Sequence, residues 1–186
     1  MKRSREVLFF NNEETAIDII KYDAEDIVYF RDAYNTWVTL NDNLKNLGAR
    51  RISIPNEFIE GIASYIMGYW KNDDIYHRFD CYDPKAGGKN NRIEVKYSAR
   101  KSDISLFSPN INWDRINFVT LCANGVNDCK IEVYDISLDL IEEQSIELFD
   151  KLKNRNDGRR TILSIKEELI ERKIYNDRVV FDLFAQ

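Results

Sequence analysis

The chain has 186 residues, of which 44% are hydrophobic and 32% are charged, and its formal net charge is −5 at pH 7. This composition is typical of a globular protein, and no apolar run approaches the roughly 18 residues that a membrane span needs. The net acidity argues against a protein that coats nucleic acid nonspecifically.

The cysteines and the single histidine exclude several kinds of site. Cys81, Cys122 and Cys129 do not have zinc-binding spacing, and His77 is the only histidine. The basic N-terminus is followed by an apolar run too short for a secretory signal. We therefore expect a cytoplasmic protein with structural cysteines, and neither a His-dependent triad nor a histidine-rich metal site.

The charges are distributed unevenly along the chain. Residues 11–32 carry a local charge of −5, and residues 135–150 carry six acids and no base. By contrast, residues 85–101 carry six bases and one acid, and residues 151–160 carry five bases and one acid. Charge alone favours neither of two interpretations of the basic segments, solvated faces or a surface for a polyanion.

Two helices are predicted at the start of the chain. Apolar side chains recur at helical spacing from about Ala24 to Leu47, and Gly48 is a suitable stop. Pro55 opens a second helix that runs to about Trp70 and carries a set of small residues permitting close packing.

Strands follow these helices. The predicted strands lie at residues 75–82, 92–98, 116–123 and 130–136. A turn rich in Gly, Lys and Asn joins the first two into a hairpin. An acidic helix, a helix over about 164–173 and a terminal strand at 178–184 complete the chain. This order predicts one α/β (α+β) domain over residues 1–186, with a central mixed β-sheet flanked by helices.

The hairpin contains a candidate metal site. Residues two apart on a strand share a face, so Glu94 and Lys96 lie side by side, and the hairpin brings Asp80 near them. Two acids can bind Mg²⁺, and the Val95 carbonyl could add a ligand. The ammonium group can orient an attacking water and stabilise developing negative charge. Such a set suits metal-dependent phosphodiester hydrolysis, whereas a lone Glu-x-Lys is usually a surface ion pair.

The spacing of Asp80 from Glu94-Val95-Lys96 resembles the PD-(D/E)xK nuclease signature, with Phe79 where the family often has proline. Asp83 also lies between the strands, but it precedes a proline inside the turn, so Asp80 is favoured. The segments IPNEFIEGIASYI, SLFSPNINWDRINFVTL and GRRTILSI resemble segments of small type II restriction endonucleases.

This resemblance implies a restriction-endonuclease-like fold and site-specific cutting of double-stranded DNA with Mg²⁺ as the cofactor. The resemblance implies that Asp80 and Glu94 bind the metal, and that Lys96 positions the water or stabilises the charge on the phosphate. A glutamate of the second helix assists, for which Glu60 is the match and Glu57 the reserve. Palindromic target sites imply a homodimer, and such a system includes a cognate DNA methyltransferase.

The basic residues provide candidate DNA contacts. Arg159 and Arg160 can form bidentate bonds with guanine O6 and N7 or bind phosphate. Further candidates for contacts with the DNA backbone are Lys89, Arg100, Lys101 and Ser102. Two alternatives remain open at this point, a repair or junction-resolving nuclease of the same fold and a catalytically inactive DNA-binding module.

Overall fold

The structure, a computed structural model, describes residues 1–10, 13–74, 76–86, 90–98, 104–107, 112–121, 129–153 and 161–185. The strands are β1 (Lys2–Phe10), β2 (Glu13–Lys21), β3 (Trp70–Asn72), β4 (Cys81–Tyr82), β5 (Arg92–Ser98), β6 (Ile104–Phe107), β7 (Arg115–Thr120), β8 (Lys130–Ser137), β9 (Thr161–Ser164) and β10 (Asp177–Asp182). The helices are α1 (Ile27–Asn46), α2 (Asn56–Met67), α3 (Leu138–Gln144) and α4 (Ile146–Lys153), with a 3-10 turn at Ala24–Asp26 and a π-helical turn at Lys166–Ile170.

Eight strands form a mixed sheet in the order β1-β2-β3-β4-β5-β7-β8-β10. The pair β5 and β7 is parallel, and the other neighbours are antiparallel. Strands β6 and β9 pair antiparallel in a separate small sheet. A mixed sheet with helices confirms the predicted fold class.

Successive side chains of the central strands pack into two hydrophobic cores, one on each face of the sheet. Ile93 and Val119 pack with α2 residues such as Ile59 and Ile62 on one face. On the other face, the buried residues include Phe107, Trp113, Ile116, Phe118, Leu163 and Leu169. Trp113 is only 2% exposed and is therefore a core residue.

The two predicted helices near the N-terminus are present with small differences. Helix α1 and the 3-10 turn before it cover almost the predicted range. Helix α2 ends at Met67, because Gly68 adopts a left-handed conformation with φ of 72°. The prediction that this helix continues to Trp70 is wrong, since Trp70 begins β3.

The predicted order of elements is wrong at the N-terminus, where β1 and β2 form a hairpin before the first helix. Strand β1 lies at the edge of the sheet and buries few side chains, among them Leu8, so its sequence shows no clear alternation. The small sheet of β6 and β9 was also not predicted. Both strands are only four residues long, which is too short for a periodic pattern to stand out.

The predicted strand at 75–82 begins at a residue outside the described ones, and of its described residues, 76–82, only Cys81–Tyr82 form a strand. Before it, side chains bond to the backbone instead: Asn72 Oδ1 accepts from the Asp74 N–H over 2.9 Å, and Asp74 Oδ1 accepts from the Tyr76 N–H over 2.8 Å. Such bonds compete with strand pairing. The acidic helix is likewise divided into α3 and α4 at Ser145. None of the helices in the described part of the chain is long and apolar enough to cross a membrane.

Candidate active site

Glu94 and Lys96 lie side by side on β5, as their spacing predicts. The Lys96 Nζ is 2.5 Å from the Glu94 Oε1, and the exposed fractions of the two side chains are 21% and 16%. Their register partners on β7 are Ile116 and Phe118, so the pair lies on the sheet face that carries the aromatic core. The pair is therefore at the border of a core. On an open surface, an ion pair would contribute only about 0–1 kcal/mol to stability.

Asp80 directly precedes β4 and lies opposite Glu94. Its N–H donates to the Ile93 carbonyl over 2.9 Å, and the next residue, Cys81, is the register partner of Ile93. Residues opposite each other on antiparallel strands share a face. The Oδ2 of Asp80 accepts a hydrogen bond of 2.7 Å from the Val95 N–H. The fold thus brings Asp80, Glu94 and Val95 together.

The acidic side chains of this region repel one another. Burial, together with the negative charges of Glu94 and Glu60, raises the pKa of Asp80 to about 8. The Val95 N–H and the Lys96 ammonium lower this pKa, but they do not offset the other effects. The folded chain therefore holds Asp80 where its ionised form is unfavourable, and a cation bound there would relieve the repulsion.

The two carboxylates fit a magnesium ion. Across the ranges that the structure describes, no three His, Cys, Asp or Glu side chains lie close enough together to hold a metal ion. One reason is that Glu94 is drawn to Lys96 and Glu60 to Lys71. Mg²⁺ commonly takes only one or two protein carboxylates and completes its octahedron with water and phosphate oxygens. Asp80 and Glu94 supply that number of carboxylates.

Glu60 approaches this region from α2, where its side chain is only 18% exposed. Burial raises its pKa, the Lys71 charge opposes this, and the charges of Glu57 and Glu94 add to it. Lys71 lies on β3, with its Nζ 2.7 Å from Glu57 Oε2 and 3.3 Å from Glu60 Oε2. Sequence reasoning missed Lys71 because it placed the segment near the end of a helix, and no motif marks this lysine.

A cleft forms beside the part of β5 that extends past the first residue of β4. Strand β4 pairs only with Arg92 and Ile93, so the rest of β5 extends past it along one edge. The cleft at this place has a volume of about 330 Å³ and is lined by Asn56, Ile59, Glu60, Val95, Lys96, Tyr97, Ser105 and Leu106. Glu60 of α2 and Lys96 of β5 therefore line the same cleft, which is open to a substrate.

Asp83, the other aspartate between the strands, is part of a different group. Its Oδ2 accepts from Arg115 Nη1 over 2.9 Å, and its Oδ1 accepts from the Lys85 N–H over 2.9 Å. Arg115 also binds the buried Asp135 through a 2.9 Å bond from Nε to Oδ1. Asp83 is thus held by an arginine, whereas Asp80 faces Glu94, which supports the choice of Asp80.

A larger cavity of about 1060 Å³ lies elsewhere, at the start of α1. Its charged side chains are all acidic, namely Asp23, Glu25, Asp26 and Glu57. Negative side chains repel a polyanion, so this cavity is not suited to DNA. The smaller cleft beside Lys96 is the better candidate for phosphate chemistry.

The candidate DNA-contacting residues Lys89, Arg100, Lys101, Ser102, Arg159 and Arg160 lie outside the described residues. In sequence, residues 100–102 come shortly before β6, and residues 159–160 come directly before β9. The two strands pair, with Ile104 opposite Ser164 and Phe107 opposite Thr161. Strand β6 also lines the cleft through Ser105 and Leu106. Both basic segments therefore lead into the small sheet beside the candidate site.

Comparison with known proteins identifies a family. The family model described as Bsp6I restriction endonuclease matches residues 22–172, which include α1, α2 and every candidate catalytic residue. No curated protein and no solved structure matches the chain.

Proposed function

This chain belongs to the Bsp6I restriction endonuclease family, and from that membership we propose that it makes Mg²⁺-dependent double-strand cuts at a short specific DNA sequence. The observation that carries this proposal is the position of the Asp80 carboxylate opposite the Glu94–Lys96 pair, at the open edge of β5. Family membership supports a type II restriction endonuclease, and the geometry supports the metal and the residues of the site.

Asp80 and Glu94 would hold the magnesium ion, with the Val95 carbonyl as a further oxygen ligand. When bound, Mg²⁺ supplies charge compensation for the phosphate and lowers the pKa of a water molecule. Lys96 positions the attacking water and stabilises the negative charge that develops on the phosphate. To do so, its ammonium group exchanges part of its contact with Glu94 for the substrate. Glu60 assists from the α2 side of the cleft.

The basic segments would hold the DNA. Lys89, Arg100, Lys101 and Ser102 bind the sugar-phosphate backbone, and Arg159 and Arg160 read guanine or bind phosphate. We propose a homodimer with one active site for each strand, because a two-fold axis matches a palindromic site. A cognate methyltransferase is the expected partner in the same system.

Digestion of a sequenced plasmid by the purified protein with Mg²⁺, followed by mapping of the ends, tests this function. We expect discrete fragments, and we expect Lys96→Ala to abolish cutting while it leaves DNA binding measurable. Cutting of branched DNA only would instead indicate a junction-resolving enzyme. Full cleavage by folded Lys96→Ala would refute the assigned role of this lysine.

A further inference from the structure

Lys71 is a buried lysine that the proposed mechanism does not use. Its side chain is only 6% exposed, although it lies on the short strand β3. Lysine is almost never buried to this extent unless its charge is paired. The register of β3 with both β2 and β4 fixes its backbone, since Lys71 lies opposite Ile20 and Cys81. The backbone of Lys71 is therefore fixed next to β4, the strand that follows Asp80.

Two glutamates of α2 share this ammonium group, and their surroundings differ. Glu57, 2.7 Å from the Lys71 Nζ, has a side chain that is 79% exposed. Glu60, 3.3 Å from the same atom, is 18% exposed and lines the cleft with Lys96. Burial lowers the pKa of Lys71, but its two carboxylate partners raise it well above the ordinary value, so the lysine stays charged.

Glu60 in turn is coupled to the metal-binding candidates. Its charge contributes to the raised pKa of Asp80, and the charge of Glu94 contributes to its own raised pKa. The negative charges of Asp80 and Glu94 repel the Glu60 carboxylate, so a cation that binds Glu60 is needed to keep it near them. Lys71 is that cation, and Glu57 provides it with a second partner on the solvent side.

We propose that Lys71 is a positioning residue that holds Glu60 at the edge of the active site, and that it acts on the reaction through Glu60 alone. Glu57 is the second partner of the buried ammonium group. An unpaired buried charge would be costly, so this second glutamate helps to keep Lys71 charged beside Glu60. The inference rests on the proposed nuclease function and identifies a residue that supports its site.

The test uses four variants of the full chain: Lys71→Met, Glu60→Gln, the double variant and the control Lys21→Met. Lys21 is a suitable control because it also forms an ion pair in the sheet, with its Nζ 2.7 Å from Glu6 Oε1, but it does not contact the cleft. Two quantities are measured for each: the rate of plasmid cleavage with enzyme in excess, and the Mg²⁺ concentration that gives half of the Mg²⁺-dependent rise in Tm without DNA.

We expect Lys71→Met to behave like Glu60→Gln, with each variant losing about tenfold or more in cleavage rate and needing about tenfold more Mg²⁺. The double variant should be no worse than Glu60→Gln, because Lys71 has no further residue through which to act. Lys21→Met should match the wild-type protein. Multiplied losses in the double variant, or wild-type values for Lys71→Met, would overturn the proposal.

Two further measurements keep the outcomes distinct. If Lys71→Met does not fold, Lys71→Gln replaces it, with the same expected and opposing results. Glu57→Gln should change the cleavage rate and the Mg²⁺ requirement less than Glu60→Gln does. An equal or larger change would show that Lys71 acts through Glu57 and would contradict the proposal. Failure of the wild-type protein to cut any DNA would refute the nuclease function, while the Mg²⁺-dependent rise in Tm would still test Lys71.

Discussion

Replacing Asp80 by asparagine is expected to stabilise the metal-free protein and to abolish its activity. Burial, together with the nearby charges of Glu94 and Glu60, raises the pKa of the Asp80 carboxyl group to about 8. Asparagine has almost the same shape, and its side-chain oxygen can still accept the bond from the Val95 N–H. The substitution therefore removes the unfavourable charge and keeps the hydrogen bond.

The sign and size follow from proton linkage. The ordinary pKa of 3.8 for an aspartate in the unfolded chain lies below the folded pKa of about 8, so the folded chain binds the extra proton between these values. The stability associated with this group is present below about pH 4 and is lost as the pH rises through about 8. Each pKa unit corresponds to about 1.4 kcal/mol. The full difference is not expected, because the side chains of Glu94 and Glu60 can move away from an ionised Asp80. We expect Asp80→Asn to raise the free energy of unfolding by about 1–3 kcal/mol at pH 8 and by less at pH 5.

Urea unfolding at pH 5 and pH 8, in buffer with a chelator, measures this difference. Asp135→Asn is the matched control, because Asp135 is also a buried aspartate but accepts bonds from Arg115 and Asn117. Asp135→Asn should lower the free energy of unfolding by about 3 kcal/mol at both pH values, because it leaves the guanidinium group of Arg115 without the charge of this carboxylate. Mg²⁺ should raise the Tm of the wild-type protein and have little effect on Asp80→Asn. Destabilisation of metal-free Asp80→Asn at pH 8 would refute the reasoning.

Further substitutions test the fold around the site and the proposed DNA contacts. Gly68→Ala should destabilise the protein by about 1 kcal/mol in urea unfolding, because φ of 72° is strained for a residue with a side chain; a stability equal to that of the wild type would contradict the left-handed cap of α2. Trp113→Ala should lose about 3–5 kcal/mol, because this side chain is 2% exposed in the core beside Phe107, whereas Ile162→Ala, at an exposed position, should change the stability by less than about 0.5 kcal/mol. In DNA binding, Arg159→Ala should cost about 1–3 kcal/mol for the cognate sequence if it reads guanine, while loss of a phosphate contact would weaken all sequences equally.

Much of the candidate site follows from local sequence. The alternation of side chains on a strand puts Glu94 beside Lys96, and a turn-rich segment between two apolar stretches returns the chain so that Asp80 meets them. Helical periodicity identifies α1 and α2, and the helix stop at Gly48 comes at the predicted place. These features depend on residues close together in the chain, and local propensity and spacing are sufficient to predict them.

Tertiary structure decided the remainder, because the contacts join distant parts of the chain. Arg115 binds Asp83 across a separation of 32 residues, so the surroundings of this aspartate differ from those of Asp80. The edge strand β1 gains its pairing from β2 and buries little, so its sequence lacks a clear pattern. Lys71 became significant only when the fold placed β3 next to α2 and buried its side chain beside Glu57 and Glu60. The sequence around a lysine does not indicate whether its side chain is buried or which carboxylates it pairs with, because both depend on how distant segments pack together.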